Sequence, residues 1–336
     1  MRLEVDVAAL PAQALLDALR AATLEGATIE TRGTLVADVA LRDAKRLRYT
    51  GEGLAASGRV KGLGWSTEPF RVEGTAEEAS VAGLRLTTRA VARAGEAPSA
   101  EEAEAGAAPA GGTLTVDGRV PLSEAGTFDL ALKGDFTLAA IEAVVPDSLA
   151  GGRASLQAHV MGTLAAPVVD GTFGFVDARV RIEETRVSAV QVTGRFQGHE
   201  ALVERASARL LGGTVAATGR LPIGRLDAGH AARLRFEATD VDLSRLAIPF
   251  ADRTAESPSF LVSASGELEA TTPGLAGLRG EGRFTKLESR SAEGTIGLAT
   301  PAAWRLAEGR LVQEPLRLNG PLGTLEASAD VVFTGT

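Results

Sequence analysis

Three stretches of this chain alternate apolar and polar residues with period two. In GTVAATGRLPI, Val215, Ala217, Gly219, Leu221 and Ile223 fall on one face, while Thr214, Ala216, Thr218 and Arg220 fall on the other. GTLTVDGRVPL repeats this with Leu114, Val116, Gly118, Val120 and Leu122 against Thr113, Thr115, Asp117 and Arg119. GTLEASADVVF sets Leu325, Ala327, Ala329, Val331 and Phe333 against Thr324, Glu326, Ser328 and Asp330. Val190, Val192 and Phe196 continue the pattern elsewhere, as do Ala232, Leu234 and Phe236. Period two with one wet face predicts antiparallel strands covered on one side only. Phe173 and Phe175 are assigned to the same apolar face. Asp170-Gly171 and Asn319-Gly320 are read as turns between strands.

These stretches also recur in phase. Gly112, Gly213 and Gly323 open them, and a second set of anchors stands at Gly33 (IETRGTLV), Gly162 (QAHVMGTL) and Gly266 (LVSASGEL). From the second set to the first the separations are 79, 51 and 57 residues. The long one contains ARAGEAPSAEEAEAGAAPAG, which has no large apolar residue and reads as a flexible insertion. Without it the repeat is about 105 residues. A pattern with apolar residues three and four apart precedes each anchor of the second set, in LPAQALLDALRAA, FTLAAIEAVV and VDLSRLAIPF, and predicts one short helix per unit. The boundaries drawn are a partial first unit over 1–92, the insertion over 93–111, a second unit over 112–223 and a third over 224–336. The phase at both ends predicts a fragment of a longer repetitive protein.

The predicted fold is mainly β: an elongated, curled antiparallel sheet forming a groove. A long sheet cannot leave a greasy face bare, so it must curl, stack on a second sheet or cover a ligand. Gly118, Gly219, Gly280 and Gly282 would allow curvature or close approach. Alternation does not separate an open groove from a row of closed β-sandwiches, and both stay open here.

Composition narrows the function. Charged residues make up 23% and the net charge is −8, with Lys and Arg scattered, which argues against a nucleic-acid face. There is no cysteine, so thiol chemistry and Cys-based zinc sites are excluded. Glu4 and Asp6 interrupt MRLEVDVAAL where a secretory signal would be apolar, and no stretch is apolar enough for a membrane span. His159, His199 and His230 lack metal-ligand spacing, GEGLAASG and GEGRF lack the lysine of a phosphate loop, and no GxSxG is present. Asp240 and Asp242 are read as caps of the third helix. The expectation is a protein that is not an enzyme, with no cofactor and no metal.

The run VPDSLAGGRASLQAHVMGTLAAPVVDGTFGFVDARVRI, followed by ASARLLGGTVAATGRLPI, resembles the repeat of the TamB (translocation and assembly module) family within the AsmA-like superfamily. GTLAAPVVDG, residues 162–171, is its most specific element. The resemblance implies a taco-like sheet lined with aliphatic side chains, tethered to the inner membrane and reaching through the periplasm. It further implies passage of phospholipid between the inner and outer membranes, and outer-membrane assembly with a partner of the TamA or BamA kind. Phospholipid acyl chains are then the expected ligand, and the apolar residues named above the expected groove face. A structural or adhesive stalk of closed sandwiches in a secreted protein is the alternative.

Overall fold

The computed structural model describes residues 2–7, 28–38, 47–60, 63–90, 111–122, 126–138, 149–163, 166–182, 185–223, 229–245, 259–272, 277–291, 294–321, 323–328 and 330–332. Every strand pairing laid out there is antiparallel. The only helical element among the described residues is a 3-10 turn at Leu243–Arg245, and no helix there is long and apolar enough to cross a membrane. The chain divides into two compact units, residues 1–178 with 196–198, and 179–195 with 199–336.

The first unit is a meander of β1 (Arg2–Val7), β2 (Thr28–Asp38), β3 (Arg48–Val60), β4 (Leu63–Thr67), β5 (Phe70–Thr75), β6 (Glu78–Ala90), β7 (Gly111–Pro121), β8 (Phe128–Thr137), the two-residue β9 (Leu149–Ala150), β10 (Arg153–Thr163) and β11 (Ala166–Ile182). β4 and β5 lie end to end between β3 and β6, interrupted at Glu68-Pro69 because proline cannot donate to the ladder. The registers of β2–β3, β3–β5 and β6–β7 each slip near this line, around Gly33, Gly53 and Gly83. Gly53 and Gly83 have φ of 63° and 67°, the left-handed region that glycine enters without penalty. The Asp117 carboxylate accepts a hydrogen bond from the Gly83 N–H at 2.6 Å, which satisfies the amide freed by the bulge. Bulges bend the strands that carry them, so these aligned irregularities crease the sheet. β7, β8, β10 and β11 then run in register with no slip.

β12 (Thr185–Gly198) is followed in the second unit by β13 (Glu200–Leu210), β14 (Gly213–Pro222), β15 (Ala232–Asp242), β16 (Ser259–Ala270) and β17 (Leu278–Ser291). Beyond β17 the strands are broken in pairs. β18 (Gly294–Leu298) and β19 (Ala302–Ala307) both pair with β17, β20 (Arg310–Gln313) and β21 (Leu316–Gly320) pair with β19 and β18, and β22 (Gly323–Ala327) and β23 (Asp330–Val332) pair with β21 and β20. Pro301 and Pro315 occupy two of the breaks, and slips near Asp240 and Thr285 extend the same line into β15, β16 and β17. A small closed core of Val262, Leu287, Ala302 and Leu316 fills the bend, with Leu243, Phe284, Leu298 and Leu318 packed on it.

Several expectations meet the structure here. Gly112, Gly213 and Gly323 all lie at the start of a strand that follows a hairpin. Gly162 pairs with Pro167 at the β10–β11 hairpin, whereas Gly266 sits within β16 and Gly33 at a bulge. Asp170-Gly171 is not a turn: the pair lies inside β11, opposite His159 and Ala158. Gly171 has a φ of 145°, and a Cβ there would stand 2.1 Å from the Gln157 carbonyl oxygen. Its glycine is thus required by close backbone approach, a need that in sequence looks the same as a turn. Asn319-Gly320 does lead into the β21–β22 hairpin. The expected insertion lies outside the described residues except for Gly111, which opens β7; its flanks, Arg89 and Gly111, are directly paired.

Of the helical patterns, LPAQALLDALRAA lies outside the described residues. Phe136 and Thr137 finish β8, and Val241 and Asp242 finish β15, so the second and third patterns begin in strand. Asp242 does cap the 3-10 turn, its Oδ1 accepting from the Ser244 N–H at 3.1 Å. Asp240 does not cap: it sits at a positive φ of 52° and binds the Lys286 ammonium at 2.8 Å.

Candidate functional site

Residues paired across antiparallel strands share a face, so the registers turn the alternating pattern into rows. In the first unit one row is Val72, Val81, Gly118, Leu130, Val160 and Val169. The next is Leu84, Val116, Leu132, Ala158 and Gly171, followed by Leu86, Leu114, Gly134, Leu156 and Phe173. The last is Thr88, Gly112, Phe136, Ala154 and Phe175. At about 4.8 Å between strands and 6.8 Å between alternate residues, this patch measures roughly 20 by 24 Å. That exceeds the ~15 Å depth of one hydrocarbon leaflet.

This face is neither bare nor closed. Ala154, Ala158 and Val169 are buried, but Leu114, Val116, Leu130, Leu132, Leu156, Val160 and Phe173 remain half-buried. Phe173 packs on Phe196 with ring centroids 4.8 Å apart and on Phe175 at 6.2 Å. Glycines set the rows deep. A Cβ at Gly118 would stand 2.0 Å from the Asp129 carbonyl oxygen, and one at Gly112 would meet Phe136 at 2.2 Å.

The second unit carries a similar face. Val203, Gly219, Leu234, Leu268, Gly280, Leu306 and Leu311 form one row. Beside it run Ala217, Phe236, Gly266, Gly282, Trp304 and the half-buried Gln313. Phe236 and Trp304 stand on strands about 14 Å apart, yet their ring centroids are separated by 6.0 Å. The indole leans over Gly266 and Gly282, where any Cβ would strike it at 2.5 and 2.6 Å. Trp304 is only 6% exposed, and its Nε1–H is buried without a hydrogen-bond partner.

The opposite faces are charged and solvated. Asp129 receives His159 at 2.5 Å and Arg119 at 3.2 Å, and these hydrogen bonds, His159 first, hold its carboxyl below the usual carboxylate range. Folding therefore depresses this pKa, so the stabilisation is complete above the unfolded value and is lost as pH falls through the folded one. Because all three side chains are well exposed, the effect is small. Asp129→Asn is expected to lower the thermal midpoint slightly at pH 7 and to match wild type under strongly acidic conditions, as read by circular dichroism. A depression of about 1060 Å³ on the second unit's polar face is bordered by Arg233–Glu269 and Arg235–Glu267 ion pairs, a solvated ladder rather than a pocket for an apolar ligand.

Of the residues expected to face the groove, Leu114, Val116, Val120, Phe173 and Phe175 are half-buried in the first unit, as are Val190, Val192, Val215, Ile223, Leu234 and Phe236 in the second. Three depart from that pattern. Leu122 is 55% exposed because it lies just past the end of β7, tied only by its N–H to the Glu77 carbonyl. Leu325 is 56% exposed on β22, whose one partner among the described residues is β21. Leu221, 36% exposed, faces only Ala201, since the β14–β15 register stops one residue earlier. The side chain of Val331 and all of Phe333 lie outside the described residues. Sequence reasoning passed over Leu130, Leu132, Leu156 and Val160, although FDLALKGDF and SLQAHV carry the same alternation. It also passed over Trp304, whose role depends on two glycines distant in sequence.

The described residues thus form amphipathic antiparallel meanders with a half-open aliphatic face and a charged, solvated opposite face. Residues 102–207, from just before β7 into β13, match the family model of the TamB C-terminal domain. No curated protein and no solved structure matches the chain.

Proposed function

We propose that the chain is a segment of a passive hydrophobic conduit that carries phospholipid acyl chains in a cell envelope, with a supporting role in outer-membrane assembly. The observation that carries this reading is the half-buried state of the apolar rows. A sandwich core would bury Leu130, Leu132 and Val160; here they stay within reach of a ligand. An acyl chain needs a continuous dry surface without specific contacts, and each methylene taken from water contributes about 0.8 kcal/mol. A headgroup can stay at the solvated margin, so no phosphate motif is required. The TamB match over 102–207 supports the envelope role. On that reading the full protein works in the periplasm from an inner-membrane tether, with a TamA- or BamA-like partner.

A photoreactive residue at Val160 is expected to give phospholipid adducts in cells, whereas the same residue at Lys133, on the polar face, gives none. A folded protein with no lipid adduct at Val160 would reject the conduit and favour the stalk of closed domains.

A further inference from the structure

Trp304 presents a contradiction. Its indole is packed over Gly266 and Gly282 between Phe236 and Phe284, 6.0 and 6.5 Å away by ring centroids. Such an aromatic cluster is well suited to fill a trough. Its Nε1–H, however, is buried and unpaired, and leaving a buried donor unsatisfied is costly enough that native structures rarely do so. Phenylalanine would fill the same bed without that cost. The nearest row of the face, Leu234, Leu268 and Leu306, offers aliphatic carbon only, and Gln313, half-buried opposite Trp304 in its own row, leaves the indole N–H unpaired.

We propose that Trp304 is the polar reading point of the second unit's apolar face: its Nε1–H hydrogen-bonds an ester carbonyl of a diacyl phospholipid lying along the trough. This rests on the conduit reading and adds a specificity to it. The chemistry selects the ligand. The donor must meet an acceptor, and the ester carbonyl is one that sits at the head of an acyl chain. A phosphate or a free carboxylate would bring a full charge into a site with no cation on the same face among the described residues, since the nearby Arg235, Arg283 and Arg305 occupy the opposite face of the same strands. The indole lies on the glycine bed, and a small rotation over Gly266 and Gly282 toward a bound lipid would exchange an unpaired donor for a paired one. No side chain at either glycine would permit that movement.

The test uses the full chain with Trp65→Phe, which leaves Trp304 as the only tryptophan. Vesicles of ester-linked phosphatidylglycerol with brominated acyl chains are compared with the ether-linked analogue of the same chains and headgroup. Trp304 emission is expected to be quenched by the ester lipid, which binds roughly three- to tenfold more tightly than the ether lipid, the range of one net hydrogen bond. Trp304→Phe is expected to keep the melting curve and to bind both lipids equally. Quenching with equal affinity for ester and ether lipid overturns the donor role while leaving the conduit intact. If Trp304→Phe unfolds in the melt, the ester-over-ether preference of the Trp304 protein decides alone, and its absence overturns the donor role. Absence of quenching, together with absence of adducts at Val160, overturns both readings; absence of quenching with adducts at Val160 overturns this one alone.

Discussion

Aspartate in place of Leu130 is expected to abolish lipid capture while leaving the protein folded. Leu130 stands in the middle of the row from Val72 to Val169, with Gly118 on one side and Val160 on the other. It is half-buried, so a carboxylate there can keep part of its hydration and the cost to folding stays near about 1–3 kcal/mol. A lipid covering the row must expel that water. Losing contact with three or four methylenes forfeits roughly 3 kcal/mol at about 0.8 kcal/mol each, or around a hundredfold in occupancy. Co-purifying phospholipid counted by mass spectrometry gives the measurement, with Leu130→Met and Lys133→Asp as controls that should retain lipid. Wild-type lipid content in a folded Leu130→Asp protein would remove the apolar face from the mechanism. Complete unfolding would show instead that Leu130 belongs to a closed core.

Valine at Gly118 is expected to be the most damaging single change in the first unit. Its φ of 134° is closed to residues with a Cβ, and the added atom would stand 2.0 Å from the Asp129 carbonyl oxygen, which is backbone and cannot move alone. Backbone strain of this kind costs on the order of 1–3 kcal/mol, and the clash adds to it. A loss of about 4 kcal/mol or more is therefore expected from urea denaturation. Gly83→Ala is the informative contrast: φ is 67°, but nothing lies within 4 Å, so only the left-handed conformation counts and about 1–2 kcal/mol is lost. Equal effects at the two positions would mean that close strand approach at Gly118 is not what the glycine provides.

Much of this was legible before any coordinates. Alternation at Leu114, Val116 and Val120 identified strands and their wet side because the side-chain period of a strand is fixed. The same rule could not say what lies above the apolar side, since a groove wall and a sandwich core present the same residues. Nor could it separate Gly171, a close approach within β11, from Gly320 at a hairpin. The creases were hidden for a different reason. Bulges at Gly33, Gly83 and Asp240 depend on which residue faces which across two strands, and Asp240 carries no local sign of its positive φ. Trp304 was illegible because the bed it occupies is assembled from β16 and β17, which lie well before its own strand in the sequence.

The meander itself has a consequence for how the molecule is made. Along β13 to β17, as along β5 to β8, every strand finds its partner in the segment just before it. Loop closure is then inexpensive at each step, and formation can proceed by adding one hairpin at a time to an existing edge. Stability accumulates between nearest neighbours, as in a one-dimensional array. A chain of this kind can assemble from its first strand onward while later strands have yet to arrive.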